Sequence, residues 1–170
     1  MSKAFTREDS DGADLPDLPA PTSTLPFGAK NYMTPDGAIR LREELARLVE
    51  IDRPQFVASR SDPDSKRQLA AIDQRIAHLE HSLETATVVE PSSGEANVVR
   101  FGATVMVRER NGEEATYRIV GVDEIDLDRG WVSWLSPIAK ALLNARVGER
   151  VRFHVPSGEQ ELEIIEISFS

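Results

Sequence analysis

A chain of 170 residues, 40% of them hydrophobic, is long enough for one or two domains with a modest core. It has no cysteine, which excludes disulfides and thiolate metal sites, and its net charge of -9 argues against a general nucleic-acid coat, which needs a basic surface to displace counterions. No apolar run approaches the ~20 residues that span a bilayer, and Met1 to Asp9 lack the apolar stretch of a secretory signal, so the expectation is a cytoplasmic protein with no membrane association.

Residues 1–30 place Asp9, Asp11, Asp14 and Asp17 among Pro16, Pro19, Pro21 and Pro26 without apolar periodicity. That composition predicts a disordered acidic arm, either a solubilising tail or a docking segment. Thr34-Pro35-Asp36-Gly37 then opens a helix, with Thr34 as N-cap and Pro35 at the first helical position. Ala38, Leu41, Leu45 and Leu48 recur in steps of three and four and make an apolar seam. Pro54 predicts a kink or short break near Ile51–Pro54, after which Phe56 and Val57 resume the seam.

Ser59-Arg60-Ser61-Asp62-Pro63-Asp64-Ser65-Lys66 reads as a tight polar turn. A second helix follows from Asp64 or Ser65 to Thr85, its seam running Leu69, Ile72, Ile76, Leu79, Leu83, Ala86. Neither helix can bury its seam alone, so residues 31–90 are expected to fold back as an antiparallel coiled-coil hairpin with Asp62 and Asp64 near its tip.

Residues 91–97 form a linker by composition, and beyond it the period changes to two. Val105 and Val107, a hairpin turn at Asn111-Gly112, and Tyr117 to Val122 predict paired strands. Asp128-Arg129-Gly130 turns the chain into a strand from Trp131 to Leu135. Ser136-Pro137 caps a short helix through Leu143, and strands follow around Val151–Val155 and from Leu162 to Ile167, with a bulge at Ile164-Ile165. Residues 98–170 are thus expected to be a small antiparallel β domain with one short helix, making the chain α+β.

Several side chains admit a functional and a plain reading. Asp62 and Asp64 suit capture of a hard cation, or simply build a turn in which one of them caps the second helix. His78 and His81 have metal-ligand spacing but no third ligand nearby, so a solvated helix face is the plain reading. Arg60, Lys66 and Arg67, with Arg42, Arg47, Arg53 and Arg75, can meet RNA or an acidic channel wall, or form a mixed-charge solvated face. Trp131 and Trp134 have no special spacing and read as core. No Ser–His–Asp set, phosphate loop or Cys/His cluster supports a free-standing enzyme.

Asn31-Tyr32-Met33-Thr34-Pro35-Asp36-Gly37, Arg53-Pro54 and Ile72-Asp73-Gln74-Arg75-Ile76 carry a resemblance. It is strongest from Val99-Arg100-Phe101-Gly102 through Tyr117-Arg118-Ile119-Val120-Gly121-Val122-Asp123-Glu124 to Ser136-Pro137-Ile138-Ala139-Lys140-Ala141-Leu142-Leu143. These stretches resemble the GreA/GreB transcript-cleavage (transcription elongation) factors, closest to the GreB type. The resemblance implies an N-terminal antiparallel coiled coil and an FKBP-like C-terminal domain. It implies docking on the rim of the RNA polymerase secondary channel, in the region matched by Asp123, Glu124, Ser136 and Pro137.

The coil would enter that channel near the 3′ end of the nascent RNA. Its tip acids, here Asp62 and Asp64, would help hold a Mg²⁺ shared with the polymerase, which activates water to hydrolyse backtracked RNA. No cofactor is expected to bind stably. The factor is expected to act as a monomer and to meet DNA only through the polymerase. The likeness departs at the tip, where an acidic segment is missing and each arm is shorter by roughly one heptad, or ~10 Å. The alternative reading is accordingly a short-coil regulator that occupies the channel without stimulating cleavage. A third, prolyl isomerisation, needs a deep aromatic-lined pocket, and this chain has few aromatics to build one.

Overall fold

The computed structural model describes residues 25–91 and 96–169. The acidic arm up to residue 24 and residues 92–95 of the linker lie outside them. The architecture is α+β, with a helical N-terminal region followed by a mixed sheet.

Strand β1 (Asn31–Met33) leads into helix α1 (Pro35–Arg47). Thr34 is extended, and its side chain accepts a hydrogen bond from the Gly37 N–H at 3.0 Å, as the capping pattern predicts. The break near Ile51–Pro54 takes the form of a π-helical turn, Leu48–Asp52, followed by α2 (Arg53–Ala58). Pro54 has no N–H and its ring would strike the carbonyl four residues back. The wider turn, in which the Arg53 N–H reaches the Leu48 carbonyl, restarts the helix with Pro54 in its first turn, where the lost donor matters least.

Helix α3 (Pro63–Thr85) runs back along α1 and α2. Met33, Ala38, Leu41, Leu48 and Leu79 are buried together, with Leu45, Ile72, Ile76 and Leu83 half-buried against them. Nearer the turn, Phe56, Val57 and Leu69 are half-buried at best, because two helices cannot fully cover each other's seams. Arg75 gives the Glu44 carboxylate two hydrogen bonds, at 2.8 and 2.9 Å, and Arg53 bonds Asp73 at 2.7 Å. Ala86, placed by its spacing at the end of the helical seam, instead begins strand β2 (Ala86–Val88), which pairs in parallel with β1. The Asn31 side chain donates to the Ser82 carbonyl at 3.0 Å and so satisfies one of the last carbonyls of α3.

The body is a five-stranded sheet in the order β5-β4-β3-β7-β6. β3 (Thr104–Glu109) and β4 (Glu114–Val120) form the hairpin read at Asn111-Gly112, where Gly112 takes a positive φ of 88°. β6 (Arg150–Val155) pairs antiparallel with β7 (Gly158–Ser168), which also pairs with β3. The bulge is where the sequence places it: Met106 faces Glu166 and Val107 faces Ile164, leaving Ile165 as the extra residue. Helix α4 (Pro137–Leu142) covers one face of the sheet through Ile138, Ala139 and Leu142, which are buried with Val105, Val107, Ile119 and Leu162.

Two expectations are corrected here. The sheet is mixed, not antiparallel throughout: β5 (Trp131–Ser133) lies parallel to β4, with Trp131 opposite Arg118. Between them the chain makes two 3₁₀ turns, Val122–Glu124 and Leu127–Arg129, which return it to a point opposite Arg118, from where β5 runs beside the last residues of β4. Trp134 packs partly buried against the core, as read, and meets Tyr32 edge-on at 5.0 Å. Trp131 does not belong to that core. It sits half-exposed on β5, an edge strand, with the Arg40 guanidinium 4.5 Å from its ring centre.

Two predictions follow from this packing. A Cβ on Gly121 would collide with the Tyr32 carbonyl, which is backbone and cannot swing away. Gly121→Ala should therefore cost about 1–3 kcal/mol, read as a lower urea midpoint; an unchanged midpoint would show slack in this contact. The hydrogen bond from Arg75 holds the Glu44 carboxyl below the usual carboxylate range, with burial opposing it. A carboxyl lowered in the folded state adds stability that is full above its unfolded value and is lost as pH falls through the folded one. Glu44→Gln should melt below wild type at neutral pH, by no more than about 1 kcal/mol for so exposed a pair, and the gap should close below about pH 4. Melting curves that stay equally far apart in acid would contradict this.

Candidate functional site

Two regions gather the residues singled out in the sequence: the free end of the helical hairpin and its base on the sheet. At the free end, the Asp62 N–H bonds the Ser59 carbonyl at 3.1 Å and closes the turn between α2 and α3. Asp62 is the N-cap of α3, its Oδ2 accepting from the Ser65 N–H at 3.0 Å. The Ser65 hydroxyl lies 3.2 Å from both that oxygen and the Ser59 hydroxyl, tying the two helix ends together. Asp62 is thus engaged in building the turn.

Asp64 is different. Its side chain is 85% exposed, with the Arg67 guanidinium 3.8 Å away and equally open to solvent. Arg60 and Lys66 are also exposed here. Among the described residues no three carboxylate or histidine groups come together, so no constellation there holds a divalent ion by itself. What the end does offer is one solvent-exposed carboxylate, Asp64, a hard oxygen donor fit to complete the shell of an ion held mainly by another molecule.

At the base, the turn Val122–Glu124 brings two acids against the two long helices. The Glu124 side chain is fully buried. Its Oε2 accepts from the Thr34 N–H at 2.9 Å and from the Gly121 N–H at 2.8 Å, its Oε1 accepts from the Thr34 hydroxyl, and Arg40 stands 3.7 Å away. Asp123 faces α3: its Oδ1 lies 2.7 Å from His78 Nε2, and its Oδ2 accepts from the Ser82 hydroxyl. His78 is thus not on a purely solvated face, and its partner is a carboxylate on the sheet side and not His81.

A family model described as transcription elongation factor, GreA/GreB, C-term matches residues 94–169. The transcription elongation factor GreB of Neisseria meningitidis serogroup A is 40% identical over 154 residues, covering 82% of this chain and 94% of that protein. The chain belongs to the GreA/GreB transcription elongation factor family. The GreA of Alkalilimnicola ehrlichii is also 40% identical, over 84% of this chain and 99% of that protein. The solved structure of a GreA/GreB elongation factor from Nitrosomonas europaea is 24% identical, covers 82% of this chain and all of that one, and has a TM-score of 0.41.

Within this GreA/GreB factor, the four residues assigned to docking fall into different environments. Glu124 is enclosed, its side chain fully buried and hydrogen-bonded to Thr34 and Gly121. Ser136 is buried and caps α4 by accepting from the Ala139 N–H at 3.2 Å. Pro137 is exposed, and Asp123 is half-buried between the sheet and α3. The sequence reading missed Gly37, where a Cβ would occupy the space of the Glu124 carboxylate. It also missed Arg40, stacked between that acid and Trp131. The available signal was the pair of glycines, one in Thr34-Pro35-Asp36-Gly37 and one opening Gly121-Val122-Asp123-Glu124; no local pattern marks Arg40.

The two tip acids can be separated by experiment. Asp62→Ala should lower stability by about 1 kcal/mol through the lost cap, while Asp62→Asn keeps the acceptor and should stay near wild type. Asp64→Ala should leave the unfolding midpoint unchanged. If Asp64→Ala destabilised the chain as much as Asp62→Ala, the division of roles drawn here would be wrong.

Proposed function

We propose that this GreA/GreB factor docks on RNA polymerase at the mouth of the secondary channel, passes its hairpin inward, and stimulates the polymerase's own cleavage of backtracked transcripts. The observation that carries the reading is the 40% identity to proteins named GreB and GreA across more than four fifths of the chain. The hairpin supports it with a free carboxylate at its far end. In this reading the protein is not itself an enzyme. Asp64 supplies oxygen to a Mg²⁺ held by the polymerase, and the ion provides the activated water of two-metal phosphodiester hydrolysis. Asp62 keeps the turn in shape. Arg60, Lys66 and Arg67 surround the free end and attract the phosphates near the RNA 3′ end. Pro137, exposed at the start of α4, belongs to the docking surface.

Among the described residues no helix is long and apolar enough to cross a membrane. DNA enters this reading only as part of the polymerase complex.

The test is to add the protein to backtracked elongation complexes and follow release of short 3′ RNA. Wild type should accelerate release, and Asp64→Ala should lose roughly tenfold or more of that acceleration while Asp62→Asn retains it. Cleavage no faster than polymerase alone at saturating factor would remove the cleavage step and leave channel occupancy. Failure to bind polymerase would remove the whole reading.

A further inference from the structure

The hairpin is a lever, and each of its two long helices is tied at its base to the body of the protein. The first turn of α1 is pinned by the buried Glu124 carboxylate, with Gly37 packed beneath it. Among the described residues, the side-chain hydrogen bonds that tie α3 to the sheet converge on one residue, Asp123, through His78 and Ser82. Immediately beside this contact, α3 and the sheet part. An open cleft of about 590 Å³ separates them, walled by Ala71, Gln74 and Arg75 on one side and by Val122 and Ile125 on the other. The α1 contacts can act as a pivot, about which the Asp123 contact opposes tilting of α3.

We infer that His78 and Ser82 are positioning residues: by holding Asp123 they set the direction of the hairpin and hence the place its tip reaches. This rests on the proposed role of the tip in transcript cleavage. From Ser82 to Asp64 the helix is about 27 Å long at 1.5 Å per residue, so a tilt of about 10° carries the tip about 5 Å. A metal-bound oxygen must arrive within a fraction of an ångström of its place, and misplacement by about 1 Å can cost 10²-fold in rate. The contact therefore matters far more to the tip than to the stability of the fold.

The chain has no cysteine, so a label pair at Ser61→Cys and Glu166→Cys reports tip-to-body distance without background. The test compares that pair in the otherwise native protein, in His78→Ala/Ser82→Ala, and in His78→Gln, which keeps a hydrogen-bonding group toward Asp123. Spin-label distance measurements should give one narrow distribution for the native contact, a distribution shifted or widened by about 5 Å for the double variant, and a return toward the native one for His78→Gln. With backtracked complexes, the double variant should lose about tenfold in maximal cleavage rate while its half-saturating concentration stays within about twofold, since none of the residues assigned to docking is itself replaced. An unchanged distance distribution overturns the inference. So does a shifted distribution with an undiminished maximal rate, or a loss expressed as weaker binding alone. If the native protein stimulates no cleavage, the functional reading fails by itself, and the distance measurement still decides whether His78 and Ser82 hold the hairpin's direction.

Discussion

An enclosed carboxylate, Glu124, fixes the first turn of α1 against the rest of the protein. An isolated charge at the position of Glu124 would cost several kcal/mol in lost hydration. It is stable there because the Thr34 N–H, the Thr34 hydroxyl and the Gly121 N–H point at it, and because the positive end of α1 and the Arg40 guanidinium lie alongside. The first turn of α1 cannot slide on the sheet without stranding that charge. The glycines at 37 and 121 answer to the same constraint, one leaving room for the carboxylate and the other letting the turn approach the Tyr32 backbone.

From this junction outward the hairpin changes character. Near the base its seam is sealed, with Leu41, Leu48 and Leu79 buried. Toward the free end the apolar residues are half-exposed, and the two helices are joined by hydroxyl and carboxylate contacts among Ser59, Asp62 and Ser65. A polar end of this kind is soluble without further cover and can enter a charged, hydrated environment without burying unpaired groups. It also separates the two tip acids: Asp62 accepts the Ser65 N–H and shapes the turn, while Asp64 stays solvent-exposed beside Arg67.

What was legible in the sequence was mostly local. Thr34 and Ser136 each cap a helix from their own next three residues, as the capping pattern reads, while for α3 the pattern left Asp62 and Asp64 open and the helix begins at Pro63 with Asp62 as its cap. The break at Pro54 and the bulge at Ile165 follow from a missing N–H and from a slip in alternation, both visible within a few residues. The parallel placement of β5 was not visible, since a return through two 3₁₀ turns has no apolar period. The roles of Asp123 and Glu124 were equally hidden. Two neighbouring acids in a loop look alike, yet one bonds Thr34, 90 residues away, and the other bonds Ser82 and His78, 41 and 45 residues away.

The amino-acid order by itself therefore determined the helices, most of the strands, the turn at the hairpin's end and the kinship to GreA/GreB factors. It could do so because caps, prolines and apolar spacing act over one or two turns of chain. Which acid is enclosed, which stays free, and where α3 rests on the sheet were decided by tertiary packing. The energy of a carboxylate depends on what distant segments bring within about 3 Å of its oxygens, and no stretch of sequence carries that information alone.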